Sequence, residues 1–311
     1  MFISGWIRLS IILSVSSVLS VANELKADMT QDLEKLKQWI GRTESDVDYV
    51  TVPAVHRLAA TLDRDEPMPK AGAPLPVGWH QILFPRVVRH SQVGPDGHPQ
   101  RGDFLPPVPL PRRMFAGKRA TFHTDLRVGD EVRRDSVIQE VAIKQGRTGT
   151  MVFVTVKTDI ASPRGLAITE EQDIVYREAP APGAATPPPQ PAPGKAVWSR
   201  TVTPDPVLLF RYSALTFNGH RIHYDLPYVT KTEGYPDLVM NGGLTTLLVF
   251  ELARARASSP IRTLSSRNVR PLFVNRPITL GGEPAPDNKT AKLWALDPDG
   301  ALALSAEAEF R

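Results

Sequence analysis

From Glu178 to Lys195 the chain reads E-A-P-A-P-G-A-A-T-P-P-P-Q-P-A-P-G-K, and a segment of that composition can join neither a helix nor a sheet. Each proline withholds the amide hydrogen that both ladders need and fixes its own φ. The run therefore behaves as a semi-extended polyproline spacer, and the chain must fold on either side of it. The sequence divides accordingly into an N-terminal extension over 1–28, a first domain over 29–177, a linker over 178–197 and a second domain over 198–311. With 311 residues and 41% hydrophobic content, two modest cores are within reach.

The first half opens with helical signals. Thr30 to Gly41 reads as a short amphipathic helix ending at glycine, and Pro53 to Leu62 as a second with proline in its first turn. His56, on the second, is expected to be a partly buried helix histidine. From Pro67 to Pro111 prolines and glycines break any period, although G-W-H-Q-I-L-F-P at Gly78 to Pro85 could pack an aromatic lid. So long a loop usually shapes a binding pocket. His80, His90 and His98 are expected to be solvated loop histidines. Strands are expected over Lys118–Leu126, Ser136–Lys144, Met151–Ile160 and Ile168–Tyr176, where valine, isoleucine, threonine and phenylalanine dominate.

The second half holds the chemistry. Arg211 to Asp225, R-Y-S-A-L-T-F-N-G-H-R-I-H-Y-D, sets Asn218, His220, His223 and Asp225 beside Gly219. An imidazole titrates near neutral pH and can take a proton from water and return it within one turnover; His223 is the candidate. From Asn241, N-G-G-L-T-T-L-L-V-F-E-L-A-R-A-R has leucines at helical spacing and arginines in its last turn, so it reads as a helix. The first amides of such a helix have no internal partner. Gly242 and Gly243 let a carbonyl approach them, which makes an oxyanion site. A histidine with an oxyanion site suits enolate chemistry on a thioester. Around this centre we expect strands at Val207–Leu215, Thr263–Pro271, Pro277–Gly282, Lys289–Leu296 and Ala301–Phe310, with Asp297 to Gly300 as a hairpin turn. The pattern supports an α+β fold, built twice.

T-F-N-G-H-R-I-H-Y-D resembles the active-site signature of the MaoC-like, or type 2, enoyl-CoA hydratases, in which an aspartate, an asparagine two places on and a histidine five places on line the site. Asn218, His220 and His223 fall on those positions. N-G-G-L from Asn241 is similar to the family's helix start, whose glycine amide binds the thioester oxygen, a role Gly242 inherits. P-R-R-M-F-A-G and D-L-R-V-G-D in the first half point to the two-domain branch that includes mesaconyl-C4-CoA hydratases and hydroxyacyl-thioester dehydratases. The resemblance covers roughly residues 30–311 and implies a double hot-dog fold, each half a helix laid on an antiparallel sheet. It also implies reversible hydration of an α,β-unsaturated acyl-CoA or acyl carrier protein thioester, with fatty-acid dehydration and non-catalytic acyl-CoA binding as the alternatives. His223 would shuttle the proton, Asn218 orient water or the ring, and Gly242 hold the oxygen. His220, Asp225, Asn241 and Gly243 would line the substrate. Because Asn218 replaces the aspartate and cannot ionise, His223 acts alone or with Asp225 or His220 as helper. A dicarboxylic acyl group would need an arginine for its free carboxylate; Arg221 and Arg211 are nearest by position. Arg112, Arg113 and Lys118 meet coenzyme A phosphates or serve as ordinary surface charge.

Other classes fit less well. Cysteine is absent, which excludes disulfides, thiolate nucleophiles and cysteine-ligated metal. A net charge of +4 could suit nucleic acid, but the basic residues are interleaved with acids and form no run. His220, His223 and Asp225 could ligate a metal, yet no further cluster completes a site and thioester hydration needs none. We expect no cofactor, coenzyme A being part of the substrate; a homodimer is compatible with the fold. Residues 1–28 resemble a secretory signal whose apolar run is too short to span a bilayer. Met29 offers an alternative start, and a coenzyme A substrate favours the cytoplasm.

Overall fold

In the computed structural model, which describes residues 32–146, 149–178 and 188–311, ten antiparallel strands form one continuous sheet. The strands are β1 (Thr43–Tyr49), β2 (Arg112–Phe122), β3 (Glu131–Gly146), β4 (Gly149–Ser162), β5 (Gly165–Arg177), β6 (Trp198–Val202), β7 (Ile261–Asn268), β8 (Ile278–Pro284), β9 (Thr290–Leu296) and β10 (Leu302–Phe310). Their order is β1-β3-β4-β5-β2-β7-β10-β9-β8-β6. Read outward from the middle, the two halves repeat: β2, β5, β4, β3, β1 on one side and β7, β10, β9, β8, β6 on the other. The halves meet where β2 pairs with β7, from Gly117 opposite Arg267 to Thr121 opposite Thr263. The expected extension over 1–28 and residues 179–187 of the expected linker lie outside the described residues. Among the described residues no helix is long and apolar enough to cross a membrane.

Repetition holds for the strands and stops at the helices. The helices are α1 (Val52–Thr61), α2 (Pro206–Leu215), α3 (Leu226–Lys231) and α4 (Gly242–Arg256). Leu244 to Ala253 of α4 are all buried, as expected of a helix that is apolar on every side and lies inside a curved sheet. The buried carboxylate within it, Glu251, is satisfied by Trp79 Nε1 at 2.9 Å, by Arg254 at 2.9 Å and by Arg64. In the first half the stretch between α1 and β2 forms only short 3₁₀ turns, one of them at Trp79–Ile82. Among the described residues the double hot-dog therefore carries a single long helix.

Several local expectations change. Val207–Leu215 is helix α2, not a strand: Asp205 caps it by accepting from the Leu208 amide at 2.7 Å, and Pro206 occupies the first turn. The nine apolar-rich residues fit either element, and the cap decides. Lys35–Trp39 is a 3₁₀ turn, and β1 and β6, which carry no clean alternation, were not expected. Both are outermost strands, and an edge needs no two-faced apolar pattern. His80 is buried, not solvated; its Nε2 lies 3.0 Å from Glu170, which also takes Lys118 at 2.9 Å. Lys118 is therefore an interior cation instead of a phosphate contact or a surface charge.

Two cores result. The larger sits around α4, with Leu247, Leu248 and Phe250 against Leu264, Leu280, Leu293 and Leu304. The smaller joins Leu33, Leu36, Phe104, Val108 and Leu110 to the first sheet at Ile138, Val152, Val154 and Tyr176. Through Phe104, Val108 and Leu110 the long proline-rich loop is pinned across that sheet. At the seam, a methyl group on Gly117 would lie 2.2 Å from the Ser266 carbonyl oxygen, a backbone atom that cannot swing aside. Gly117→Ala should cost about 2 kcal/mol or more, read as a lowered midpoint in chemical denaturation. An unchanged midpoint would show that β2 and β7 are not packed as described.

Candidate active site

The site begins where α2 stops. Phe217 adopts a left-handed φ of 49°, and the amides of Phe217 and Asn218 bond back to Ala214 and Ser213 at 3.3 and 2.8 Å. This is a Schellman closure with phenylalanine where glycine is usual, and it turns Asn218 out of the helix. Asn218 Oδ1 then accepts from the His220 amide at 3.0 Å, starting the 3₁₀ turn Arg221–His223. Three residues per turn eclipse positions i and i+3. His220 and His223 accordingly stand together, ring centroids 5.4 Å apart and edge to face.

A third histidine arrives from the other half of the chain. Gly97, at φ 89°, packs so tightly on Gly219 that a methyl at position 97 would lie 1.9 Å from the Gly219 carbonyl oxygen. Beside this contact the Arg221 amide donates to Asp96 O at 2.9 Å and the Arg221 guanidinium to Pro95 O at 3.0 Å. His98 is thereby stacked on His220 at 4.0 Å, and Asp96 accepts from the His98 amide and lies 3.0 Å from its Nδ1. Asp96, His98, His220 and His223 form one continuous row. His98 was expected in solvent, and the sequence offered little to place it: the loop has no period, and its docking is backbone on backbone.

His223 is buried, and its Nδ1 lies 2.6 Å from the carbonyl oxygen of Val239. A carbonyl only accepts, so Nδ1 carries the proton and Nε2 is left as an open base. Burial pushes the imidazole down to about 4, with the nearby His98 adding to the effect and the Val239 bond opposing it. Burial also lowers His98 and, far more, His220, where His98 and His223 add to the shift. Asp96 is held well below the ordinary carboxylate range by His98, against the opposing effect of burial. The row at neutral pH is one carboxylate and three neutral rings.

The same strap of chain that holds His223 leads into α4. Val239 bonds Ile222, Met240 bonds Leu272, and three residues beyond Val239 the helix begins at Gly242. Three residues span at most about 11 Å, so the imidazole and the helix start share one neighbourhood. Phe115 and Asn268 stand 3.2 and 3.5 Å from where a Gly242 side chain would begin, and Tyr212 OH and Gln81 stand 2.7 and 3.2 Å from that of Gly243. Buried atoms with no partner among the described residues gather here: Asn241 Oδ1, Asn268 Nδ2 and Gln81 Nε2. Asn241 Nδ2 reaches Ser213 Oγ at 3.3 Å. Unpaired buried polar groups at a helix start are costly to a fold, and here they surround amides aimed outward.

Other expected residues lie elsewhere. Asp225 caps α3 through the Tyr228 amide at 3.0 Å and pairs with Arg221 at 2.7 Å, so both of its oxygens are engaged. Arg221 also stacks on Tyr228 at 4.1 Å. Arg211 is exposed on α2. Arg112 pairs with Glu233 and covers Tyr235. The ligand set imagined from His220, His223 and Asp225 is not assembled. Among the described residues Asp96, His98 and His220 do offer three ligand atoms within 4.8 Å of one another, though His98 already engages both oxygens of Asp96.

Known proteins are similar to this chain in sequence and in fold. The hydroxyacyl-thioester dehydratase type 2 family matches residues 78–274, which takes in the Asp96 loop, the histidines and all of α4. A mesaconyl-C4-CoA hydratase of Chloroflexus aurantiacus is 50% identical, over 88% of this chain and 96% of that one. The mitochondrial hydroxyacyl-thioester dehydratase type 2 of Schizosaccharomyces pombe is 26% identical, over 82% and 95%. A solved structure from Mycobacterium tuberculosis with a double hot-dog fold superposes with a TM-score of 0.53 at 11% identity, over 89% of this chain and 97% of that one.

Neutral burial of histidines has a thermodynamic signature. Between the ordinary histidine value of 6.5 and about 4 for His223, the unfolded chain binds more protons than the folded one. Stability is therefore complete above pH 6.5 and falls as pH drops through that window, by about 3 kcal/mol for His223 alone. The depressed carboxylates act only below about pH 4. Melting temperature should fall steadily from pH 7 to 5 and fall less steeply in His220→Gln. A flat wild-type curve would contradict the neutral row.

Proposed function

The chain belongs to the hydroxyacyl-thioester dehydratase type 2 family, and from that premise we propose that it reversibly hydrates an α,β-unsaturated acyl-CoA of the mesaconyl-C4-CoA kind. The 50% identity to a mesaconyl-C4-CoA hydratase across nearly the whole chain supports this substrate. Dehydration of fatty-acyl intermediates has weaker support, since the dehydratase relative is 26% identical. The chain is a hydro-lyase, as its relatives are, and the non-catalytic binding alternative is set aside.

The carrying observation is the open Nε2 of His223, whose other ring nitrogen is tied to Val239, three residues before a helix start whose first amides have no partner within the helix. Water donates a proton to Nε2 as its oxygen bonds to the β-carbon. The double-bond electrons move toward the α-carbon and the thioester carbonyl, whose oxygen takes negative charge against the Gly242 and Gly243 amides. The imidazolium then returns its proton to the α-carbon, and the net addition is one water. A ring this far below neutrality is a weak base in isolation. Its charged form is stabilised at the moment it exists, because the enolate carries the opposite charge in the same buried space. Asn218, its Oδ1 occupied by the His220 amide, keeps its side-chain NH₂ free to hold the water oxygen. His220 and the ionised Asp96, linked by His98, orient the base and face the acyl chain. Asn241 supports the helix start. No metal or cofactor enters this scheme, and coenzyme A arrives with the substrate.

Loss of the conjugated-thioester absorbance measures the reaction directly. His223→Ala should lower the rate by about 10²–10⁴-fold with the fold intact; equal rates in variant and wild type would end the assignment of the base. In the hydration direction the base must be unprotonated, so kcat/KM should hold as pH falls past 6.5, with its acid limb nearer the lowered value of about 4. An acid limb at or above 6.5 would show that another group takes the proton.

A further inference from the structure

Cations that answer no anion stand out in this protein, because ion pairs are numerous and, among the described residues, the buried carboxylates Asp130, Glu170 and Glu251 are engaged. Arg113 is half-buried near the start of β2, and among the described residues no carboxylate comes within ion-pair distance of it, Asp96 acting on it only from further off. Its strand position decides where it points. Arg113 pairs with Tyr176, Phe115 with Ile174, Lys118 with Gln172 and Ala120 with Glu170, the register slipping once between Phe115 and Gly117. Cross-strand partners share a face, and the four β5 residues alternate regularly. The bulge therefore leaves Arg113 and Phe115 on the same face as Lys118 and Ala120, although simple alternation along β2 would put Arg113 opposite Lys118. Phe115 on that face touches the start of α4, and Arg113 lies two residues, roughly 7 Å, along the strand from it.

Around Arg113 the surroundings favour an anion. Tyr176 is fully buried, its hydroxyl oxygen lies beside the Arg113 guanidinium, and its O–H finds no acceptor among the described residues. Arg101 covers the Tyr176 ring at 5.4 Å and is itself fixed by the carbonyls of Val108, Leu110 and Pro111 at 2.7, 2.6 and 3.1 Å. Asp96, the neighbouring carboxylate, is committed to His98. The positive charge of Arg113 reaches His98 and His220 and helps keep both neutral, so the cation and the histidine row occupy one space.

The geometry points to Arg113 and the Tyr176 hydroxyl as a subsite for a carboxylate on the β-carbon of the acyl group. A C4 dicarboxylic monothioester carries its free carboxylate on the carbon that water attacks, hence beside the base. A cation there must border the histidine row, as Arg113 does. Arg221 and Arg211 do not meet the requirement: the first is bound to Asp225 and the second is exposed. The guanidinium fork supplies two parallel donors and the phenol a third.

This subsite rests on the hydratase reading, and two substrates separate the two claims. Arg113→Gln should lower kcat/KM for mesaconyl-C4-CoA by about 10- to 100-fold and leave 3-methylcrotonyl-CoA, which has a methyl group in place of the carboxylate, unchanged. Tyr176→Phe should act in the same direction, more weakly, and Arg113→Lys should restore part of the loss. Equal losses on both thioesters, or none on either, would overturn the subsite while the hydratase reading stands. Should the wild type turn over neither thioester, the hydratase reading fails instead. Calorimetric titration with mesaconyl-C4-CoA then reads the subsite without turnover: weaker binding by Arg113→Gln supports it, and equal binding removes it.

Discussion

The closest constraint in the molecule is a contact between two glycines. Gly97 and Gly219 come from opposite halves of the chain, and neither tolerates a side chain toward the other. Because the contact is backbone on backbone, it fixes the two loops more tightly than side chains could, and the bonds from Arg221 to Asp96 and Pro95 close it. Everything that makes the histidine row a row follows. Without this approach His98 has no reason to lie on His220, Asp96 has no route to the rings, and the second half's histidines would stand alone against solvent.

Electrostatically the interior is sorted into two kinds of polar cluster. Away from the site, buried charges are matched: Glu170 with Lys118 and His80, Glu251 with Arg64, Arg254 and Trp79. Such clusters repay much of their desolvation through direct pairing. At the site the balance differs, with neutral imidazoles, amides without partners around α4 and an arginine without an acid. Groups left unsatisfied in a fold are a cost that substrate can relieve, and here they lie along one path from the helix start to β2.

What the sequence made legible, and what it hid, follows from the range of the interactions. Helix α4 could be read from its own residues, because a leucine-rich run opened by Asn241-Gly242-Gly243 and closed by Arg254 and Arg256 needs no outside information. The central strands β3, β4 and β5 announced themselves through valine and isoleucine. Edge strands β1 and β6 did not, since half of each faces no neighbour. Helix α2 was hidden by an apolar stretch that suits either element, though Asp205-Pro206 carried the answer. His220 and His223 were legible as chemistry, and Arg113 as a candidate for coenzyme A phosphates; the position of His98 and the face that Arg113 occupies were not. The first depends on a contact across more than a hundred residues, and the second on a single extra residue in β2 that no periodicity displays.

The repeated sheet, with one long helix among the described residues, also bears on how many reactions a chain can run. A twofold plan would ordinarily offer two equivalent helix starts, one per half, and with them two thioester sites able to influence each other. Here the first half spends the corresponding chain on the loop that carries Asp96 and His98. On the proposed mechanism the described residues thus amount to a complete pair reduced to a single working centre, with one half serving as the wall against which the other works, and a thioester should bind with a stoichiometry of one.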